Sequence, residues 1–155
     1  MPQPLIIPDV ASLPDYVGHE LGVSEWHRID QAKIDAFADA TGDQQWIHVD
    51  VERAKQESPF GTTIAHGYLT IALAPALLPE IVEVTQHSRI LNVGIDRLRL
   101  REPVTAGNRI RLGGSVKKVR AMKGGAMRLA LDVRFEAEGT KRPVCTGELV
   151  FLYFP

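Results

Sequence analysis

His66-Gly67-Tyr68-Leu69-Thr70-Ile71-Ala72-Leu73-Ala74-Pro75-Ala76-Leu77-Leu78 is apolar on nearly every side of a helical wheel. A helix of that composition is covered all round and presents no wet face. Pro75 is expected to kink it and Pro79 to help end it, because proline lacks the N–H that an inner turn uses. Whatever covers this helix lies C-terminal to it, where the hydrophobic period changes. Met127, Leu129, Leu131, Val133 and Phe135 alternate strictly, the period of a strand with one buried face. Arg109 to Val119 and Val144 to Phe154 read as two more strands, with Ala121-Met122-Lys123-Gly124-Gly125 as a turn between 109–119 and 127–135. Leu91, Val93 and Ile95 also alternate, and then the phase slips to Leu98 and Leu100. A one-residue slip inside a strand predicts a bulge near Asp96. The expected fold class is α+β, with an antiparallel sheet wrapped round a central buried helix.

The N-terminal half supplies shorter elements. Residues 1–8 carry three prolines and are expected to form an extended arm. Asp9 is placed to cap a short helix ending at Gly18, and Leu21 to Ile29 reads as the first strand. Asp30 is an N-cap candidate for a helix with Ile34, Phe37, Ala38 and Thr41 on one face. Gly42 supplies its left-handed stop. Asp50 caps a further short helix through Lys55, and Ser58-Pro59-Phe60-Gly61 is a loop. With no internal repeat and 155 residues, the expectation is one domain spanning 1–155.

Composition narrows the function classes. Hydrophobic residues make up 45% and charged residues 24%, with a net charge of −1, which argues against a nucleic-acid or membrane-surface protein. The single cysteine, Cys145, rules out an intrachain disulfide and reads as a small buried apolar residue rather than a nucleophile. The N-terminus has no basic segment leading an apolar run, and Ile71 to Leu78 is too short to span a bilayer, so a cytoplasmic location is the default. His19, His27 and His87 lack ligand spacing, and no metal site is expected.

Two patches carry chemistry. The first is Gly42-Asp43-Gln44-Gln45-Trp46-Ile47-His48, a carboxylate and an imidazole five residues apart. Five residues of ideal helix turn through about 500°, so this pair converges only if the chain leaves the helix at Gly42 and curls back. The second is Gly61-Thr62-Thr63-Ile64-Ala65-His66-Gly67-Tyr68, the opening of the apolar helix, where free N–H groups favour negative charge. An acid/base pair beside such a helix start suits water addition or removal next to a carbonyl.

Together these motifs resemble the signature of the MaoC-like dehydratases, the (R)-specific enoyl-CoA hydratases (hydratase 2), which have a hot-dog fold. The resemblance runs from about Val17 to Tyr153 and is greatest to a bacterial single-hot-dog branch, with NodN-type proteins as relatives. It departs from the common pattern Asp-x-Asn-Pro-aliphatic-His at Gln45-Trp46, a substitution that this branch shares. The resemblance implies that Asp43 and His48 hold one water for attack on C3 of a trans-2-enoyl thioester. It also implies that the Gly67 N–H takes up the charge on the thioester oxygen. Gln45, Trp46, His66 and Tyr68 are then candidates for lining the substrate. Arg97 and Arg99, which alternate with Leu98 and Leu100, are candidates for the phosphates of coenzyme A. No separate cofactor is expected, since coenzyme A or an acyl carrier protein enters as part of the substrate, and the family association is a homodimer. Two alternatives stand beside this. One is a hot-dog thioesterase, for which the central helix lacks the usual Asp or Glu. The other is a non-catalytic thioester-binding subunit, which has no use for both Asp43 and His48.

Overall fold

Local capping signals set most of the N-terminal elements in the computed structural model, which describes residues 1–155. Asp9 accepts a hydrogen bond from the Ser12 N–H and starts a 3-10 helix, Val10–Tyr16. Asp30 accepts from the Lys33 N–H and starts α1 (Gln31–Thr41). Gly42 ends α1 in the left-handed region, at φ 82°. Two short helices follow, α2 (Trp46–Val49) and α3 (Val51–Glu57), the second capped by the Asp50 carboxylate on the Arg53 N–H.

The sheet is antiparallel. Its long strands are β5 (Arg89–Leu100), β6 (Arg109–Ala121), β7 (Met127–Ala137) and β8 (Cys145–Phe154). With β2 (Glu20–Val23) they run in the order β2-β6-β7-β8-β5, and β3 (His27–Arg28) also pairs with β6. The strand expected over Leu21 to Ile29 is thus two pieces laid along one partner, interrupted between 23 and 27. The bulge expected near Asp96 is present: the β5–β8 register shifts between Asp96 and Arg99, and Arg97 takes φ 51°. A second shift lies between Asn92 and Gly94. The inner sheet face carries Leu129, Leu131, Phe135, Leu149 and Phe151, packed with Ile34, Leu69 and Leu77 in one buried cluster. This is the hot-dog arrangement.

Three expectations change. The N-terminal arm is partly a strand, because β1 (Leu5–Ile7) pairs in parallel with β4 (Val82–Val84), just beyond the central helix. The central helix is two pieces, α4 (Gly67–Ala72) and α5 (Ala74–Leu77). Pro75 sits in the first turn of α5, where its missing N–H is harmless, so it starts a helix rather than bending one. Nor is the helix covered all round. Leu69, Thr70, Ile71, Ala74 and Leu77 are buried, but Tyr68 is 70% exposed and Ala72, Pro75 and Ala76 are also exposed. These four lie at i, i+4, i+7 and i+8, an apolar stripe facing outward beside β5. No helix is long and apolar enough to cross a membrane.

Candidate active site

The turn at Gly42 brings the site together. The chain reverses after α1, Asp43 follows, and one turn later α2 carries His48. The imidazole is 7% exposed, and its Nδ1–H donates to the Ile64 carbonyl at 2.7 Å. A carbonyl only accepts, so Nδ1 carries the proton, and in the neutral ring the lone pair is on Nε2. The segment that holds Nδ1 is itself tied to α2, since the Ile64 N–H donates to the Ile47 carbonyl at 3.0 Å. Gln31 closes the arrangement: its amide N–H donates to the His48 carbonyl at 2.7 Å, and its amide oxygen accepts from the Thr63 hydroxyl. Gln31, which no local sequence signal marked, thus joins α1 to both patches, and Thr63 and Ile64, inside the second patch, hold the His48 segment and ring in place.

His66, 2% exposed, lies against His48 with ring centroids 3.9 Å apart and planes 25° apart. Its Nε2–H donates to the Asp43 carbonyl at 3.0 Å. Asp43, His48 and His66 each place one ligand-type atom within 4.8 Å of the other two. The Asp43 carboxylate makes no direct hydrogen bond to either ring; its one contact is with the Gln45 N–H, at 3.4 Å. Groups that approach this closely without bonding directly are spaced for one shared water. One nitrogen of each ring is already engaged with a backbone carbonyl, His48 Nδ1 with Ile64 and His66 Nε2 with Asp43, which leaves His48 Nε2 as the ring nitrogen available to such a water.

His48 and Gly67 line one cavity of about 260 Å³, with Ile64, Thr70, Leu100 and Cys145 in its wall. Gly67 is the first residue of α4, and its N–H has no acceptor in the chain. A Cβ built on Gly67 would lie 2.4 Å from Leu100 Cδ1, so glycine here lets the Leu100 side chain pack against the start of α4. Cys145 is 1% exposed, and burial pushes its thiol up to about 11, opposed in part by Arg101. It is a wall of the cavity and stays protonated near neutral pH.

The structure thus brings Asp43, His48, His66 and Gly67 together. Gln45 is exposed at the start of α2, and Trp46 is half-buried beneath the Arg53 guanidinium, 4.3 Å from its ring centroid. Tyr68 lies on the exposed stripe. Arg97 and Arg99 do not line the cavity. Arg97 pairs with the buried carboxylate of Glu148, which also takes Lys117 Nζ at 3.2 Å, and Arg99 donates to the Leu98 carbonyl. Arg101, the next on that face, does line it, holding Thr146 Oγ1 through Nε at 3.1 Å.

Reversible hydration needs a base, an acid and somewhere for the displaced charge to go. On this fold those groups define a hydro-lyase of the hydratase/dehydratase class. A family model described as MaoC like domain matches residues 13–136, and the chain belongs to that family. It is 40% identical over 144 residues to 3-hydroxyacyl-thioester dehydratase Z of Mycobacterium tuberculosis, covering 93% of this chain and 95% of that one. It is 44% identical over 146 residues to Nodulation protein N of Rhizobium leguminosarum bv. viciae, covering 91% and 88%. Among solved structures, the (R)-hydratase from A. caviae involved in PHA biosynthesis superposes with a TM-score of 0.72 at 25% identity, covering 90% of this chain and 96% of that one.

Proposed function

We propose that this protein reversibly adds water to trans-2-enoyl thioesters to give (R)-3-hydroxyacyl thioesters, carried on coenzyme A or an acyl carrier protein. The observation that carries this is the spacing of the Asp43 carboxylate and the His48 imidazole beside the free Gly67 N–H. One water held between Asp43 and His48 loses a proton as its oxygen bonds to C3. The C2–C3 π electrons move toward the thioester, whose oxygen takes the charge against the Gly67 N–H. The proton then goes from the pair to C2, so the products hold one water more than the substrate and nothing else changes. The free Nε2 of His48 suits it to accept that proton, and Asp43 orients the water. Arg101 rather than Arg97 is the cation at the cavity. The reading places the enzyme in the cytoplasm, in fatty-acid metabolism. The test is a hydration assay over a chain-length series of trans-2-enoyl-CoA substrates, with the configuration of the 3-hydroxyl determined. An (S) product, or no turnover at any chain length, overturns the proposal.

The same reading includes a homodimer. Edge strand β5 exposes Ile90, Leu91, Val93, Ile95 and Leu100 at 39–50%, next to the outward stripe of α4 and α5. A long apolar edge with unpaired backbone groups is unstable in isolation and is ordinarily covered. A second copy paired about a two-fold axis covers both edges at once. Sedimentation at micromolar concentration is expected to give twice the chain mass, and a monomer alone would refute the association.

A further inference from the structure

His66 has the position of a helix N-cap and makes no side-chain capping bond. Its ring is instead held between Phe37, with centroids 4.9 Å apart, and His48. Its only polar contact runs from Nε2–H to the Asp43 carbonyl, and its Nδ1 is buried without a partner. A ring kept for packing alone has no reason to be an imidazole, because phenylalanine fills a similar space and strands no polar atom. What the imidazole adds is one N–H, aimed at the backbone of the catalytic aspartate. The same ring lies flat on the catalytic imidazole. One residue therefore touches both members of the acid/base pair, through an edge on one side and a face on the other.

From this we infer that His66 is a positioning residue that sets the separation of the Asp43 carboxylate and the His48 imidazole. Asp43 follows a left-handed glycine and precedes α2, and its carboxylate is solvent-exposed. The His66 bond fixes its backbone where no packing does. His48 is pinned at Nδ1 by Ile64, and the stack fixes the remaining rotation of its ring, which aims Nε2. The inference rests on the hydratase reading for its kinetic consequence, but its geometric content does not.

The test compares His66→Phe with His66→Gln, whose amide N–H reaches toward the position of Nε2. The phenylalanine variant is expected to melt no lower than the wild type, because the stack with Phe37 and His48 is kept. Its kcat on a short trans-2-enoyl-CoA should fall about 10–100-fold with KM within about 3-fold, the scale of loss when reacting groups are slightly misplaced. His66→Gln should recover part of the loss. In an Asp43→Asn background, either change should add less than about 3-fold, since both act through one water. Amide hydrogen exchange over residues 43–48 should speed up in His66→Phe at an unchanged melting temperature. Wild-type turnover in a folded phenylalanine variant, or full additivity with Asp43→Asn, overturns the inference. If the phenylalanine variant does not fold, His66→Leu, which also lacks the N–H, replaces it in the cycle under the same criteria. Should the wild type hydrate no enoyl thioester, the exchange measurement still decides the matter. Unchanged protection of 43–48 overturns the positioning role whatever the substrate.

Discussion

Asp43→Asn and His48→Gln are each expected to leave the fold intact and to remove most of the activity. A positioned acid or base contributes roughly 10²–10⁴ in rate, and neither substitution leaves a group able to exchange a proton at the right place. Asp43 is exposed, and its one carboxylate hydrogen bond, a long one from the Gln45 N–H, can be kept by the amide oxygen of asparagine, so the change should not lower the melting temperature. His48 is buried, and glutamine retains an N–H for the Ile64 carbonyl, which limits the structural cost. The double variant should be little worse than the worse single one, because both residues serve one water. The check is the initial rate of enoyl-CoA hydration for the three variants, with melting curves. Near-normal turnover by either single variant would remove the pair from the mechanism.

Gly67→Pro should come next in size. It deletes the N–H assigned to the thioester oxygen, and one such donor is typically worth about 10²–10³ in kcat. The backbone can accept it: Gly67 is the first residue of α4, and His66 at φ −58°, ψ 136° already has the extended conformation that precedes proline. Gly67→Ala retains the N–H, and its methyl meets only the end of the Leu100 side chain, which is half exposed and free to swing. A smaller effect divided between kcat and KM is expected there. A proline variant that is folded by circular dichroism and melting, yet hydrates its substrate at the normal rate, would show that this N–H does not stabilise the enolate.

Features set by a few neighbouring residues were legible in the sequence. Asp9, Asp30 and Asp50 cap what their side chains can reach, Gly42 stops what precedes it, and the phase slip near Asp96 is a local property of one strand. Pairings at a distance were not. Leu5–Ile7 and Val82–Val84 are three residues each, too short for a period to emerge, and their pairing joins the start of the chain to its middle. Gln31 and Thr63 are ordinary polar residues 32 positions apart. Alternation grouped Arg97 with Arg99, but it does not say that the Arg97 side chain pairs with Glu148 beside the bulge or that Arg101 reaches the cavity rim. The apolar wheel of 66–78 misled for a related reason. Hydrophobicity reports that a face is to be covered, and not whether the same chain covers it.

The unequal edges of the sheet bear on how far such molecules stack. At one margin, β2 and β3 are four and two residues long, and the β2 register is broken beside Gly22 at φ 77°. At the other margin, β5 runs twelve residues. A growing filament needs two compatible margins on every subunit, one to receive and one to offer. This chain has only one of useful length, and the proposed pairing of two copies about a two-fold axis uses that margin on both, leaving nothing for a third to join. The two register breaks in β5 also limit which partner strand fits, so that an unrelated exposed strand finds no continuous row of groups to match. In the proposed dimer the fold thereby carries a long hydrophobic margin with no free margin of similar length left to seed polymerisation.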